Sequence, residues 1–240
     1  MATPGIWLEN NRAKSMPIQF RYAPEIRSSF PQLRSRALLV DGIDATANPS
    51  AEIAGLSAIA DNRLAATIEG EFPEIQAWRR AFSTMGLKPT RYRCASEALL
   101  RRYRKERALP ALHPMIDLCN AASLAFAIPV AVFDTSKITC MMTVRLAHGD
   151  ETYETFGGDI EHPEPGEVIF ADNSGRAHAR RWTNRQSGWS GVRPETTQAL
   201  IVAEALHETA DNHVAALMAS LTEALAAIWP GSAVTGMEPL

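Results

Sequence analysis

The chain has 240 residues, is 46% hydrophobic and 21% charged, and carries a formal net charge of -3. This is the composition of an ordinary globular chain with enough length for a sizeable core, and its charge excludes a global affinity for polyanions but not a local basic patch. Three scattered cysteines, Cys94, Cys119 and Cys140, exclude a disulfide framework, lack zinc-ligand spacing and fit a reducing cytoplasm.

Residues 1–16 are polar and expected to fray, and Glu9 to Arg12 leave no signal-peptide apolar core. A single domain is expected over 17–240. Arg36 to Val40 predicts a short strand, stopped by Asp41-Gly42. Asn48-Pro49-Ser50 opens a helix to about Ile68, with Ile53, Leu56, Ile59 and Leu64 at helical spacing. Pro73 precedes a second helix, Glu74 to Met85, closed by Gly86. Ser96 to Arg107 is a third, with Leu99, Leu100 and Tyr103 inward and arginines outward.

Leu112 to Asp134 reads as a helix followed by a buried strand. Asp117, Asn120 and Ser123 stand three apart on that helix and share one face in otherwise apolar surroundings. Buried polar groups need partners, so the stripe is either internally satisfied or lines a pocket for a polar ligand. The apolar run from about Leu118 to Phe133 is interrupted by Asn120 and Pro129 and is too short to span a bilayer.

Strands follow: Met141 to Leu146, Glu151 to Phe156, and Glu167 to Ala171 after Pro165-Gly166. The turn Asp172-Asn173-Ser174-Gly175 returns Arg176 to Trp182 as a hairpin partner. Thr197 to Leu206 fits a buried strand or a short helix, and periodicity does not decide. Asn212 to Trp229 is an amphipathic helix stopped by Pro230-Gly231. Helices lead and strands follow, which predicts an α+β fold.

No P-loop and no Gly-x-Ser-x-Gly elbow occurs, and the six histidines show no ligand spacing, so neither a metal nor a cofactor is expected. Two basic features stand out. Arg79 to Arg107 holds ten Lys/Arg against Glu97 and Glu106, a local +8 in a chain that is net negative. Such a patch can neutralise phosphates, or be a solvated helix face. Arg176 to Trp189 holds four arginines, two tryptophans, Asn184 and Gln186, and no acid. Arginine beside tryptophan suits stacking on a base and bonding to a ribose or carboxylate; equally, Trp182 can cap the core.

His-Pro-Met-Ile-Asp-Leu-Cys-Asn (113–120) followed by Ile-Pro-Val-Ala-Val-Phe-Asp (128–134) resembles the B3/B4 module of the bacterial phenylalanyl-tRNA synthetase beta subunit. Asp117, Asn120, Pro129, Phe133 and Asp134 keep its pattern. Gly166 to Asp172, Val192-Arg193-Pro194-Glu195-Thr196-Thr197 and Ile201 to Leu206 follow in the module's order. The rest resembles free-standing B3/B4 proteins, at Gly86-Leu87-Lys88-Pro89, Tyr92-Arg93, Ser96 to Arg102, Arg181-Trp182 and Arg185-Gln186.

The resemblance implies a three-layer fold, with an unusual β-sandwich flanked by helices, and a pocket for the aminoacylated 3′ end of a tRNA. Two positions depart from it. Ala131 stands where the synthetase strand has His, and Trp189 is aligned with a Glu that holds the tyrosine hydroxyl.

The leading expectation is a trans-acting aminoacyl-tRNA deacylase, in which the already activated ester needs a positioned water and oxyanion stabilisation. Asn120, Ser123, Arg185 and Gln186 are its expected catalytic groups. Asp117, Arg181, Trp182, Asn184, Trp189 and Thr196 are expected to hold substrate. Lys88, Arg91, Arg93, Arg101, Arg102, Arg104 and Lys105 are expected to face the tRNA. The alternative is a non-catalytic module that binds a tRNA end or an amino acid. The apolar face of the last helix also allows a docked partner or a second copy.

Overall fold

The computed structural model describes residues 18–239, so the expected frayed segment 1–16 lies outside the described residues. Strand β1 (Gln19–Tyr22), helix α1 (Pro24–Ser29) and strand β2 (Arg34–Asp41) come first. Helices α2 (Ser50–Ala66), α3 (Pro73–Thr84), α4 (Ala95–Glu106) and α5 (Pro114–Phe126) follow. Then come strands β3 (Val130–Asp134), β4 (Met141–Leu146), β5 (Tyr153–Glu154), β6 (Ile160–Glu161), β7 (Val168–Ala171), β8 (Ala177–Arg180), β9 (Arg185–Gln186) and β10 (Gln198–Ala205). Helix α6 (Ala210–Ile228) and strand β11 (Ala233–Met237) end the described chain.

Two sheets form the sandwich. One has the order β1-β4-β7-β8-β9 and the other β11-β2-β10-β3. Period-two alternation sorts the side chains of β10. Leu200 and Val202 point into the sandwich core with Phe133, Phe170 and Trp182. Ala199, Ile201, Ala203 and Ala205 point the other way, into a second core shared with α5 and α6. The fold is therefore α+β, with helices layered on a β-sandwich.

Strand β10 explains why Thr197 to Leu206 is ambiguous from sequence. Both of its faces are covered and both edges are paired, by β2 and β3. A strand buried on both sides shows no polar alternation. The strand expected over Glu151 to Phe156 shrinks to two residues, β5, paired with β6. Glu151 is instead consumed by the turn before it, accepting from the N–H groups of His148 and Gly149. The expected hairpin partner ends at Arg180, because Arg181 and Trp182 both adopt left-handed backbone, φ +48 and +57.

Helix α5 is set by local chemistry at both ends. His113 caps it, its Nδ1 accepting from the Met115 N–H at 3.1 Å, and Pro114 occupies the first turn. At the other end Ala127 turns left-handed, φ +55, and the Ser123 hydroxyl donates to the Ile128 carbonyl at 2.7 Å. That bond fixes the turn into β3, which forms one wall of the site. Among the described residues no helix is long and apolar enough to cross a membrane.

Candidate functional site

The edge strands of the two sheets, β3 and β9, approach each other. Gln186 of β9 bridges them, its Nε2 donating to the Val132 carbonyl. A cleft of about 70 Å³ opens there. Pro129, Val130 and Ala131 form one wall, and Trp182, Thr183, Asn184, Arg185 and Gln186 the other. Ala95, at the start of α4, Phe170 and Ala179, from β7 and β8, and Glu204, from the sandwich side of β10, complete it.

The tight left-handed pair Arg181–Trp182 makes this wall. A non-glycine residue in that region is strained, and two in succession persist only where packing over-determines them. Here the Arg181 N–H donates to Glu167 at 2.8 Å and the Trp182 N–H to the Val168 carbonyl at 2.7 Å. The indole is fully buried, edge-on to Trp78 and Phe30 at 5.0 and 4.9 Å. Its Nε1 donates to Glu204 Oε1 at 2.8 Å, and the Tyr22 hydroxyl donates to the same oxygen at 2.7 Å.

Glu204 is 1% exposed. Burial pushes its carboxyl up to about 7, against the two hydrogen bonds that favour the anion. A carboxyl so perturbed beside a cleft is a candidate functional group. Thr183 adds a second signal: its hydroxyl is buried at the cleft and has no partner among the described residues. Sequence reading missed both. Glu204 sits in an apolar run that reads as core, and Thr183 follows two arginines and a tryptophan that draw the attention.

The remaining expected residues divide. Asn184 lines the cleft and its Nδ2 donates to the Arg93 carbonyl at 2.7 Å. Arg185, at the mouth, bonds Glu161 at 3.0 and 3.2 Å and lies 5.3 Å from the Tyr153 ring centroid. Hydrogen bonding from Arg185 lowers the Glu161 carboxyl, so the pair is ionised at neutral pH. Arg181 lies outside the cleft, its guanidinium on Tyr92 at 4.9 Å. Trp189 is also outside. Arg176 stacks on it at 3.7 Å and its Nε1 donates to the Lys137 carbonyl. The carboxyl that the cleft does contain is Glu204, from β10.

The polar stripe on α5 is split. Asp117 and Asn120 line a different cavity of about 340 Å³, with Tyr103, Arg107 and Leu124. Asp117 accepts from the Leu112 N–H at 3.0 Å, whereas the Asn120 side chain makes no protein hydrogen bond among the described residues. Ser123 is buried in its bond to Ile128, and Thr196 donates to Asp134 at 2.7 Å. Neither lines the cleft. Three residues apart on a helix is also 300° of rotation, so the stripe drifts across more than one neighbour.

Ser190, His178 and Asp172 form a chain resembling a hydrolase triad, with contacts of 2.8 and 3.4 Å. Ser190 and His178 are fully buried. Their bonds hold the 172–176 turn against the 187–191 loop.

The basic segment is partly neutralised by buried acids. Glu97 pairs with Arg79 and Arg93 at 2.8 and 3.4 Å, and Glu69 with Arg104 and Arg101 at 2.8 and 3.4 Å. Arg102 pairs with Glu106, and Arg107 with Asp61. Arg80, Lys88, Arg91 and Lys105 have no ion pair among the described residues. Arg79, Arg80, Arg93 and Arg101 line an open groove of about 650 Å³. Groove and cleft are neighbours along the chain: Arg93 lines the first, Ala95 lines the second, and Asn184 of the cleft bonds the Arg93 carbonyl.

A sequence model described as the B3/4 domain matches residues 77–224. Comparison with curated protein sequences gives no match. Among solved structures, the chain is similar to an N-terminal fragment of the phenylalanyl-tRNA synthetase beta-subunit from Pyrococcus horikoshii. The TM-score is 0.51 at 12% identity, over 92% of this chain and 51% of that one. This chain therefore spans about half the length of that fragment, and at this identity the likeness is one of fold.

Proposed function

We propose that this chain, which belongs to the B3/4 domain family, acts in trans on the 3′ end of an aminoacylated tRNA and hydrolyses the ester of a small amino acid. The observation that carries the reading is the neighbouring placement of the basic groove and the cleft, lined by Arg93 and Ala95 and linked by the Asn184 bond to the Arg93 carbonyl. Phosphates of an acceptor end lie against Arg80, Arg93 and Arg101, and the terminal ester reaches the mouth, beside Arg185, Gln186 and Asn184. There Arg185 stabilises the oxyanion that develops on the carbonyl, and Gln186 with a ribose hydroxyl orients the attacking water. The proton lost by the water passes to the departing ribose oxygen, so amino acid and intact tRNA are the products.

The amino acid side chain enters the cleft, where Glu204 and Thr183 meet it. The cleft is small, about 70 Å³, and is walled by apolar side chains as well as by Glu204 and Thr183. It suits a short side chain better than an aromatic one. A buried carboxyl and an unpartnered hydroxyl favour a small side chain that donates a hydrogen bond, as in serine, threonine or cysteine.

The test is hydrolysis of a panel of labelled correctly and incorrectly charged tRNAs by the purified protein. Release of small amino acids only is expected. Arg185→Ala should reduce turnover at least tenfold with tRNA binding intact, and Glu204→Gln should change which amino acids are released. Release of tyrosine or phenylalanine as the preferred product would refute the size argument.

The second reading is a binder of tRNA ends or amino acids without turnover. Two placements favour it: Ala131 presents only a methyl group to the cleft, and Asn120 faces another cavity. Binding without release from any substrate would establish it.

A further inference from the structure

Where α3, the end of β10 and the start of α6 meet, three possible metal ligands converge from distant parts of the chain. Glu74 stands in the first turn of α3, His207 two residues past β10, and His213 in the first turn of α6. Their donor atoms all lie within 4.8 Å of one another. His207 Nε2 is 2.9 Å from His213 Nδ1, which is 3.5 Å from Glu74 Oε1. We infer that Glu74, His207 and His213 form a binding site for a divalent transition-metal ion of the zinc class.

The spacing fits. A tetrahedral ion with ligand bonds of about 2.0–2.1 Å separates its ligand atoms by about 3.4 Å, within the observed range. Two imidazoles and one carboxylate are the ligand types of open zinc sites, and they suit zinc better than magnesium or calcium. Access fits as well. Glu74 and His207 are buried, while the His213 side chain is 45% exposed, so an ion enters from that side and keeps water in its fourth position.

The hydrogen bonding without an ion is poor. If the shared proton sits on His213 Nδ1, the neutral His207 carries its own proton on Nδ1, a buried atom with no partner. If it sits on His207 Nε2, His213 Nδ1 turns a lone pair toward the Glu74 carboxylate. A cation takes both lone pairs and the carboxylate oxygen at once.

Arg63 tempers the affinity and fixes the geometry. Its Nη2 donates to both Glu74 oxygens, at 2.9 and 2.8 Å, which locks the carboxylate toward the histidines but places a positive charge beside the site. The ligated His207 also keeps an Nδ1–H without an acceptor. Loss of such an outer partner weakens metal sites by about 10–100-fold, so binding is expected to be looser than at a closed structural zinc site. The ion would clamp α3 and α6 to the end of β10. This inference does not depend on the reading of the cleft.

The experiment is calorimetric titration of the chelator-treated full chain with zinc chloride, alongside the visible spectrum with cobalt chloride. One ion per chain is expected, with tetrahedral cobalt bands and no sulfur charge-transfer band, and a rise in Tm on adding zinc. His213→Ala, at a half-exposed position, should weaken zinc binding at least tenfold and abolish the Tm rise, and Glu74→Gln should do the same. His148→Ala, in the separate cluster with Asp150 and Glu151, should change neither. Absence of binding by the native chain, or binding that survives His213→Ala and Glu74→Gln, would overturn the inference.

Discussion

At the scale of single residues, Glu204 makes stability depend on pH in a direction opposite to an ordinary paired carboxylate. Its carboxyl is raised from 4.5 to about 7 by burial. Below pH 4.5 it is protonated folded and unfolded alike, and contributes no pH dependence. Between 4.5 and 7 the folded state keeps a proton that the unfolded state releases, so stability falls as pH rises. Above 7 the loss is complete, at about 3 kcal/mol. Glu204→Gln should therefore gain stability over the native chain at pH 8 and gain little at pH 4. Urea denaturation midpoints at the two pH values check this; an equal effect at both would show that the carboxyl does not titrate as placed. Glu151 works the other way. Burial raises it, but N–H groups of His148 and Gly149 and the Arg145 guanidinium outweigh that and bring it down to about 2. Its stabilisation is present above 4.5 and is lost as pH falls through 2. The sequence does not show the behaviour of Glu204, because its partners, Tyr22 and Trp182, lie 182 and 22 residues away.

At the scale of elements, α4 and its flanks separate cations into two functional groups. Arg101 and Arg104 hold Glu69, and Arg79 and Arg93 hold Glu97, each acid being almost fully buried. Removing such an acid leaves arginines that can still reach water, so Glu69→Gln should cost only about 1–2 kcal/mol, less than a fully buried pair. The same change frees two cations, and tRNA affinity should rise with a steeper dependence on salt. Lys88→Ala removes a cation without an ion pair, so stability should hold while the salt slope of tRNA binding falls by about 1. Filter binding across a salt series and thermal melts distinguish the two variants; identical behaviour of both would remove the distinction. The sequence announces the excess of cations and the helix that carries them, since α4 has the expected bounds within a residue or two. It does not show which cations are spoken for, because Glu69 lies upstream of the basic segment. Strands β1 and β11 escaped for a related reason. Each is short and finds its partner, β4 or β2, far along the chain. Helices α2 to α6 are legible because their signals, Pro73, Gly86, Pro114 and the apolar spacing, are local, whereas the six-residue α1 is too short to show a period.

At the scale of the whole molecule, β10 is the wall common to both hydrophobic cores. Val202 and Leu200 belong to the sandwich, Ile201 and Ala203 to the layer under α5 and α6, and the strand is paired along both edges. Neither core can come apart without losing the strand that carries Glu204. The described chain should therefore unfold as one cooperative unit, despite its size. Its tryptophans report on both sides. Trp78 and Trp182 are buried in the sandwich core, and Trp229 is buried beneath the helix layer. Single-tryptophan variants that keep Trp182 or Trp229 should show the same urea midpoint, coincident with the loss of helical circular dichroism. Ile201→Ala opens a cavity on the helix side only, at a cost of about 2–5 kcal/mol. It should lower both reporters equally, and turnover at the cleft should persist wherever the variant remains folded. Two separated transitions, with only the Trp229 reporter shifted by Ile201→Ala, would mean that β10 does not couple the cores, and the cleft would then rest on the sandwich alone.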